Sequence, residues 1–432
     1  MLFKCVLAYV VVFYSQIGMR IPLLGSLRLE FVLGSFILIA LVVAKMQGVV
    51  QTDRYTSLTG SIVFLFVAMA LSVPGSYWIT KSVDTMLAVF KMFSLYIMIM
   101  ATIDTEAKLR QFMWVYVFMV ALIVGEPFIG VFTGSANWDN HRGYPKLMGA
   151  TGLWAHPNSL GGFASANLAF LYYLFLAEQQ RIKKYFLLGL GIMSLGTIIL
   201  TGSRTAYVGI IGIAFVIWLR SARKGLAIAV LSAGVALTWI VAPQAYKDQF
   251  LTMGSIGDVV QGEKADDGSM NERWEIVTDA IEIFLDHPIF GVGVDAFMTA
   301  RGERFDRWQD THNLYLQILT NVGIIGLVAF VIMLYSIFQS LGKAKQLLHQ
   351  AQSEHSLWLE NLANAVGVFL SARLIVGMFG MDFYENYWWL AAGLAGVLVR
   401  LATEAESHSQ TEPSVKSLDT PRTTRNPIVS FR

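Results

Sequence analysis

Three residues, far apart in the chain and each costly where it stands, pose the chemical question: Arg204, Arg273 and His312. Arg204 lies in IILTGSRTAYVGII, where about four residues separate two long apolar runs. Gly202 supplies the freedom that a tight turn needs, but a turn does not need an arginine. A guanidinium is always charged and grips phosphate through two parallel hydrogen bonds, which makes an anion clamp one reading of Arg204. The other is an interfacial anchor whose head reaches water. Arg273 falls in the first turn of the amphipathic stretch SMNERWEIVTDAIEIFLDHP. A cation there opposes the helix dipole, so it is either a surface ion pair with Glu272 or Glu275 or a functional cation. His312 heads THNLYLQILTNVGIIGLVAF, and Asn313, Gln317 and Asn321 follow on a common stripe at i, i+4 and i+8. Single polar residues within spans are often interhelical hydrogen bonds; a stripe of this length, starting at a helix mouth, is read as facing a wet cavity. An imidazole at its head titrates near neutrality and can take a proton from a hydroxyl.

The elements that must position these residues follow from composition. Of 432 residues, 55% are hydrophobic and 14% charged, against about 25% charged in a soluble domain. Too little polar surface remains to face water, so the chain is expected to be an all-α polytopic membrane protein. The single Cys5 excludes an intrachain disulfide framework and a Cys-rich metal site. The opening MLFKCVLAYVVVFY has no small-residue cleavage pattern and is read as a retained first span.

A spanning helix needs about 20 mostly apolar residues. About twelve runs qualify, near 3–22, 27–45, 57–73, 83–102, 111–131, 153–177, 185–201, 205–219, 226–243, 314–340, 358–380 and 384–401. With the N-terminus inside, the short inner loops carry 12 Lys/Arg and the short outer connections 6, a bias that puts both termini in the cytoplasm. The expected organisation is an N-terminal bundle over 1–243, one long outer loop over 244–313, C-terminal spans over 314–401 and a disordered cytoplasmic tail over 402–432. The long loop holds 14 acidic and 6 basic residues. Its helix has capping-box spacing at Ser269 and Glu272, an apolar face of Trp274, Val277, Ile281 and Phe284, and a stop at Pro288.

Further candidates are His141, Arg142, His156 and Asn158 in the Gly-rich outer stretch HRGYPKLMGATGLWAHPNSLGG. Glu30, Lys91 and Arg373 interrupt spans, and charge inside a membrane calls for a reason. Asp382 and Glu385 could pair with Arg373 or orient His312 from the last outer turn. No Asp-x-Asp and no close His/Glu cluster is present, so a catalytic metal has no evident ligands and no cofactor is expected.

Taken in order, GATGLWAHPNSLGG, LTGSRTAYVG, NERWEIVTDAIEIFLDHPIFGVGVDAF and THNLYLQILTNVGIIGLVAF resemble the O-antigen ligase and polymerase superfamily of bacterial GT-C type membrane glycosyltransferases. The resemblance covers about residues 140–340; the first 130 match only in hydropathy. It implies a GT-C-like bundle in the inner membrane with its active site facing the periplasm. It also implies a donor glycan on undecaprenyl diphosphate and an acceptor hydroxyl on lipid A–core, another glycan or a protein; membrane lipid surrounds the site and no nucleic acid is involved. By position, Arg204 and Arg273 would hold the diphosphate and His312 would activate the acceptor, without a metal. Many ligases carry an acidic residue in the helix after the histidine, where this chain has Asn321.

Ligation of a finished polymer is the leading expectation, since one late outer loop rather than two comparable ones favours it. Polymerisation of carrier-linked repeats, transfer to protein Ser or Thr, and transport of a lipid-linked glycan are the alternatives. A transporter would place its charges along a midplane pathway, whereas here the polar motifs gather at outer ends.

Overall fold

The computed structural model describes residues 1–48, 56–140, 145–220, 225, 268–351 and 356–411. Inside a bilayer the backbone must satisfy its own hydrogen bonds, and the apolar runs do so as helices. The order is α1 (Leu2–Ser15), α2 (Ile17–Arg20), α3 (Pro22–Ser26), α4 (Leu29–Met46), α5 (Thr56–Ser72), α6 (Ile79–Thr102) and α7 (Glu106–Thr133). A small hairpin, β1 (Asn137–Asp139) and β2 (Lys146–Met148), precedes α8 (Pro157–Ala177), α9 (Arg181–Thr201) and α10 (Arg204–Arg220). Then come α11 (Gly268–Asp286), α12 (Phe297–Phe305), α13 (Leu314–Ala351), α14 (Ser356–Val376) and α15 (Tyr387–Thr411). Seven of the described helices, α4, α6, α7, α8, α9, α13 and α14, are long and apolar enough to cross a membrane, and α1 and α5 are shorter apolar helices. The protein is an all-α polytopic membrane protein. The run at 226–243 lies outside the described residues, as do His141 and Arg142. The first run, 3–22, is not one helix: Gln16 turns left-handed (φ 49°) and ends α1 at Ser15.

At the centre stands α15, buried at every position from Asn386 to Val399. Its small residues permit this: a Cβ on Gly393 would lie 3.0 Å from Ile99, and one on Gly396 2.4 Å from Met100, both on α6. The helix continues to Thr411, beyond the end of its apolar run.

The seam that positions the site lies between α13 and the segment Pro288–Asp295. The run read as one span from 314 is broken at Gly323 (φ 71°, ψ −166°). Such a break frees main-chain groups, and the neighbouring segment bonds them. Val292 N and Gly293 N donate to the Thr320 and Asn321 carbonyls (2.8 and 3.1 Å), while Ile324 N and Ile325 N donate to the Pro288 and Ile289 carbonyls (2.9 and 3.4 Å). Only glycine fits so close an approach: a Cβ on Gly323 would sit 2.2 Å from the Ile289 oxygen and one on Gly291 2.5 Å from the Thr320 oxygen. The same segment is tied to α6, with Tyr77 N donating to Val292 O (3.0 Å) and Thr85 Oγ1 to Asp295 Oδ2 (2.8 Å).

The polar stripe after His312 therefore faces no water-filled cavity. Asn313 Oδ1 caps α13, accepting from Tyr315 N and Leu316 N (2.9 and 3.1 Å), and its Nδ2 donates to Met378 O (3.0 Å). Gln317 is buried and accepts from Phe383 N (3.2 Å). Asn321 is buried too; its Oδ1 takes Ala296 N and Phe297 N (2.9 and 3.0 Å) at the start of α12. Helical spacing found the face; it could not tell that protein, not water, covers it.

The helix of the long loop is also rotated from expectation. Ile276, Asp279, Ala280 and Ile283 are buried, while Trp274 and Ile281 are 69% and 47% exposed. The reason is an ion pair: fully buried Arg301 on α12 donates Nε to Asp279 Oδ2 (2.8 Å), and Arg307 reaches the same carboxylate (3.2 Å). A count of apolar side chains does not see a face organised around a charge. The side chains of Ser269 and Glu272 lie outside the described residues.

Candidate active site

At one end of the bundle is a cavity of about 240 Å³, lined by Arg204, Arg273, His312, His156 and Asn158 together with Asp139, Lys146, Pro157, Gly202, Thr205, Ile276, Gln309 and Phe379. Arg204, Arg273 and His312, more than 100 residues apart at their extremes, meet there. Each arrives from a local cause. α9 ends on left-handed Gly202 (φ 57°), so the chain reverses within two residues and α10 begins at Arg204. Asn158, in the first turn of α8, accepts from Ser203 Oγ (2.8 Å) and ties that reversal to α8. Gly161 allows the approach, since a Cβ there would stand 2.8 Å from Thr201 Oγ1. His156 caps α8, its Nδ1 accepting from Asn158 N (3.2 Å). Arg273 rides on α11, which starts at Gly268, so it stands in the second turn rather than the first. His312 is held left-handed (φ 48°) just before α13, a conformation that carries a strain of about 1–3 kcal/mol. Asn313's cap on one side and the Leu314 N to Gly377 O bond (2.7 Å) on the other fix it there.

The electrostatics favour an anion. α8, α10 and α13 all present their N-terminal ends to this cavity, and helix N-termini carry partial positive charge that adds to Arg204, Arg273 and Lys146. His312 has its pKa lowered below the ordinary imidazole value, first by withdrawal from water and then by the charges of Arg273, His156 and Arg301. The imidazole is thereby kept neutral and able to accept a proton near neutrality. What the arrangement can do is hold a doubly charged group on guanidinium and helix ends beside a base.

Two candidates lie elsewhere. Asp382 is ion-paired to Arg373, whose guanidinium also stacks 3.8 Å from the Tyr387 ring centre and donates to Gly162 O (3.2 Å). Glu385, in the same turn, is half-buried and raised to about 7, by desolvation first and by Asp382 second, with Arg373 opposing. Neither carboxylate lines the cavity or bonds to His312; Asp382, through Arg373, holds the 377–386 turn that brings Phe379 to it. Sequence reasoning gave no role to Asp139, Lys146 or Gln309. The first two pair across the β1–β2 hairpin, a three-residue strand pattern too short to stand out, and Gln309 lies in an irregular loop beneath Arg301 (3.2 Å). Among the described residues no group of three or more His, Cys, Asp or Glu is placed to hold a metal ion.

A helical membrane bundle with a cation-lined cavity at one end, bordered by α11, defines an integral membrane protein with a site suited to an anion. Residues 188–331, which include Arg204, Arg273 and His312, match the protein-family model described as O-Antigen ligase. The match supports the O-antigen ligase and polymerase superfamily and an enzyme of glycosyltransferase or ligase type. None of the curated proteins compared with the chain matches it.

Proposed function

We propose that the protein transfers a glycan from an undecaprenyl-diphosphate carrier to an acceptor hydroxyl at the periplasmic face of the bacterial inner membrane, as an O-antigen or polysaccharide ligase. The observation that carries this reading is the meeting of Arg204, Arg273 and His312 around one cavity. In the proposed reaction the acceptor oxygen attacks the anomeric carbon from the face opposite the diphosphate, and its proton passes to the His312 imidazole. The bond from the anomeric carbon to the phosphate oxygen breaks, its electron pair stays on the lipid diphosphate, and the anomeric centre inverts. A diphosphate is already a good leaving group and needs charge neutralisation rather than a proton, which two guanidinium groups supply without a metal. At about 240 Å³ the cavity is smaller than ordinary ligand pockets of about 300–1,000 Å³. It suits a head group, with the lipid and the polymer outside.

The test is purified protein with an undecaprenyl-diphosphate glycan and candidate acceptors, with and without EDTA. Arg204→Ala and His312→Ala are each expected to abolish transfer at unchanged membrane level, and EDTA to have no effect. Normal transfer in either variant removes that residue from the site, and inhibition by EDTA removes the metal-free scheme. A polymerase is the second reading: in cells, loss of the protein leaves long glycans on the carrier if it is a ligase and no long chains if it polymerises.

A further inference from the structure

A second indentation, of about 680 Å³, lies between the N-terminal helices and α6, lined by Gln16, Met19, Leu24, Arg28, Glu30, Phe31, Asp84, Leu87 and Lys91 among others. Its position follows from a helix that is too short. α1 has 14 residues, about 21 Å at 1.5 Å per residue, where the hydrocarbon core is about 30 Å thick. The turn that follows, with α2 and α3, is compacted by glycines: a Cβ on Gly25 would lie 2.4 Å from the Gly18 oxygen. On the facing wall, Asp84 and Lys91 come 5 and 12 residues after Ile79, the α6 end that bonds to the Pro288–Asp295 segment. They therefore sit about 8 and 18 Å along the helix from that end.

The result is a set of charges in apolar surroundings. Phe31, Leu87 and Phe90 around it are 61%, 58% and 44% exposed on the protein alone, so they face lipid. Lys91 Nζ and Glu30 Oε1 stand 3.8 Å apart, a loose pair with side chains 47% and 37% exposed. Arg28 and Asp84 have no ion-pair partner among the described residues. Half-exposed charges on a lipid-facing wall need a polar partner from the membrane side.

We propose that this indentation binds a zwitterionic phospholipid whose head carries a primary ammonium, of the phosphatidylethanolamine class. The charge pattern selects it. Arg28 and Lys91 match the phosphate, and Glu30 and Asp84 accept hydrogen bonds from the ammonium, which a quaternary head cannot donate. A purely anionic head would meet the two carboxylates, so this is not a second diphosphate site. The bound lipid fills the gap above short α1 and abuts the segment leading to the active site: Gln16 Oε1 accepts from Leu153 N (3.3 Å), and Met19 packs on Gly152. Three residues further on stands His156 at the cavity.

The test is native mass spectrometry of the full-length protein in mild detergent with equimolar dioleoyl phosphatidylethanolamine, phosphatidylcholine and phosphatidylglycerol. One phosphatidylethanolamine is expected to stay bound at least fivefold more than either competitor. Glu30→Gln with Asp84→Asn is expected to remove that preference and turn it towards phosphatidylglycerol, and Arg28→Gln with Lys91→Met to weaken both. Asp84→Asn alone touches no ion pair and gives the same direction in a protein that keeps its fold. Equal retention of the three lipids, no retained lipid, preferences unmoved by these variants, or displacement by undecaprenyl phosphate overturns the proposal. No transfer is measured, so the outcome is independent of the catalytic reading.

Discussion

His312 and Asn313 are neighbours in sequence and belong to different machines. His312 stands strained at the rim of a cavity beside two arginines; Asn313 and Asn321 have both side-chain polar atoms bonded to backbone, and Gln317 its oxygen, in a closed seam. The cavity gathers cations and helix N-termini that together want an anion, while the seam leaves little that a ligand could use. The difference separates scaffold from chemistry more reliably than residue type does. A polar side chain bonded by the protein is holding the fold, and one turned into open space beside like charges is held for something absent from the chain.

Breaking the seam should cost the fold and breaking the cavity should not. The largest effect is expected at Gly323→Val, where a side chain must adopt φ 71° and collide with the Ile289 carbonyl. A loss on the order of 4 kcal/mol or more would show as disappearance of folded protein from the membrane fraction. Next comes Asn321→Leu, which orphans the amide of Phe297 at about 1–3 kcal/mol and leaves Ala296 N with only the Gly293 carbonyl (3.1 Å). Its melting temperature in detergent should fall by more than that of Asn313→Ala, which removes a helix cap worth about 0.5–2 kcal/mol. A melting temperature unchanged in Asn321→Leu would mean that the seam is not what holds the loop.

The smallest and sharpest effect concerns pH. His312 must be neutral to act as base, so transfer should fall as pH drops through its lowered pKa. Neutralising Arg273 removes a positive charge that disfavours imidazolium, so the His312 pKa rises. The residual activity of Arg273→Gln should therefore lose its acid limb at a higher pH than the unmodified protein. A limb that stays in place, or moves to lower pH, separates Arg273 from His312.

Much of this was legible in the sequence, for physical reasons that also mark where reading stops. Arg204, Arg273 and His312 stand out because a charge or an imidazole beside a long apolar run is expensive, and expense is visible without coordinates. Asn321 was equally visible and wrongly assigned to a wet face, because periodicity gives an angle around a helix and not what lies against it. Gly291 and Gly323 belong to the pattern that carried the family resemblance, yet their purpose, one backbone threading a break in another, appears only when both are seen together. Asp139 and Lys146 were hidden in a hairpin too short to have a pattern. On α11 the buried face was chosen by Asp279 and Arg301 rather than by apolar residues, a long-range pair no local rule contains.

The most direct test separates holding from transferring. Binding of the undecaprenyl-diphosphate donor and turnover should be measured side by side in Arg204→Ala and His312→Ala. The account predicts that His312→Ala binds donor as the unmodified protein does while transfer falls by roughly 10²–10⁴-fold, and that Arg204→Ala loses both. Full transfer by His312→Ala, or undiminished donor binding by Arg204→Ala, would contradict it.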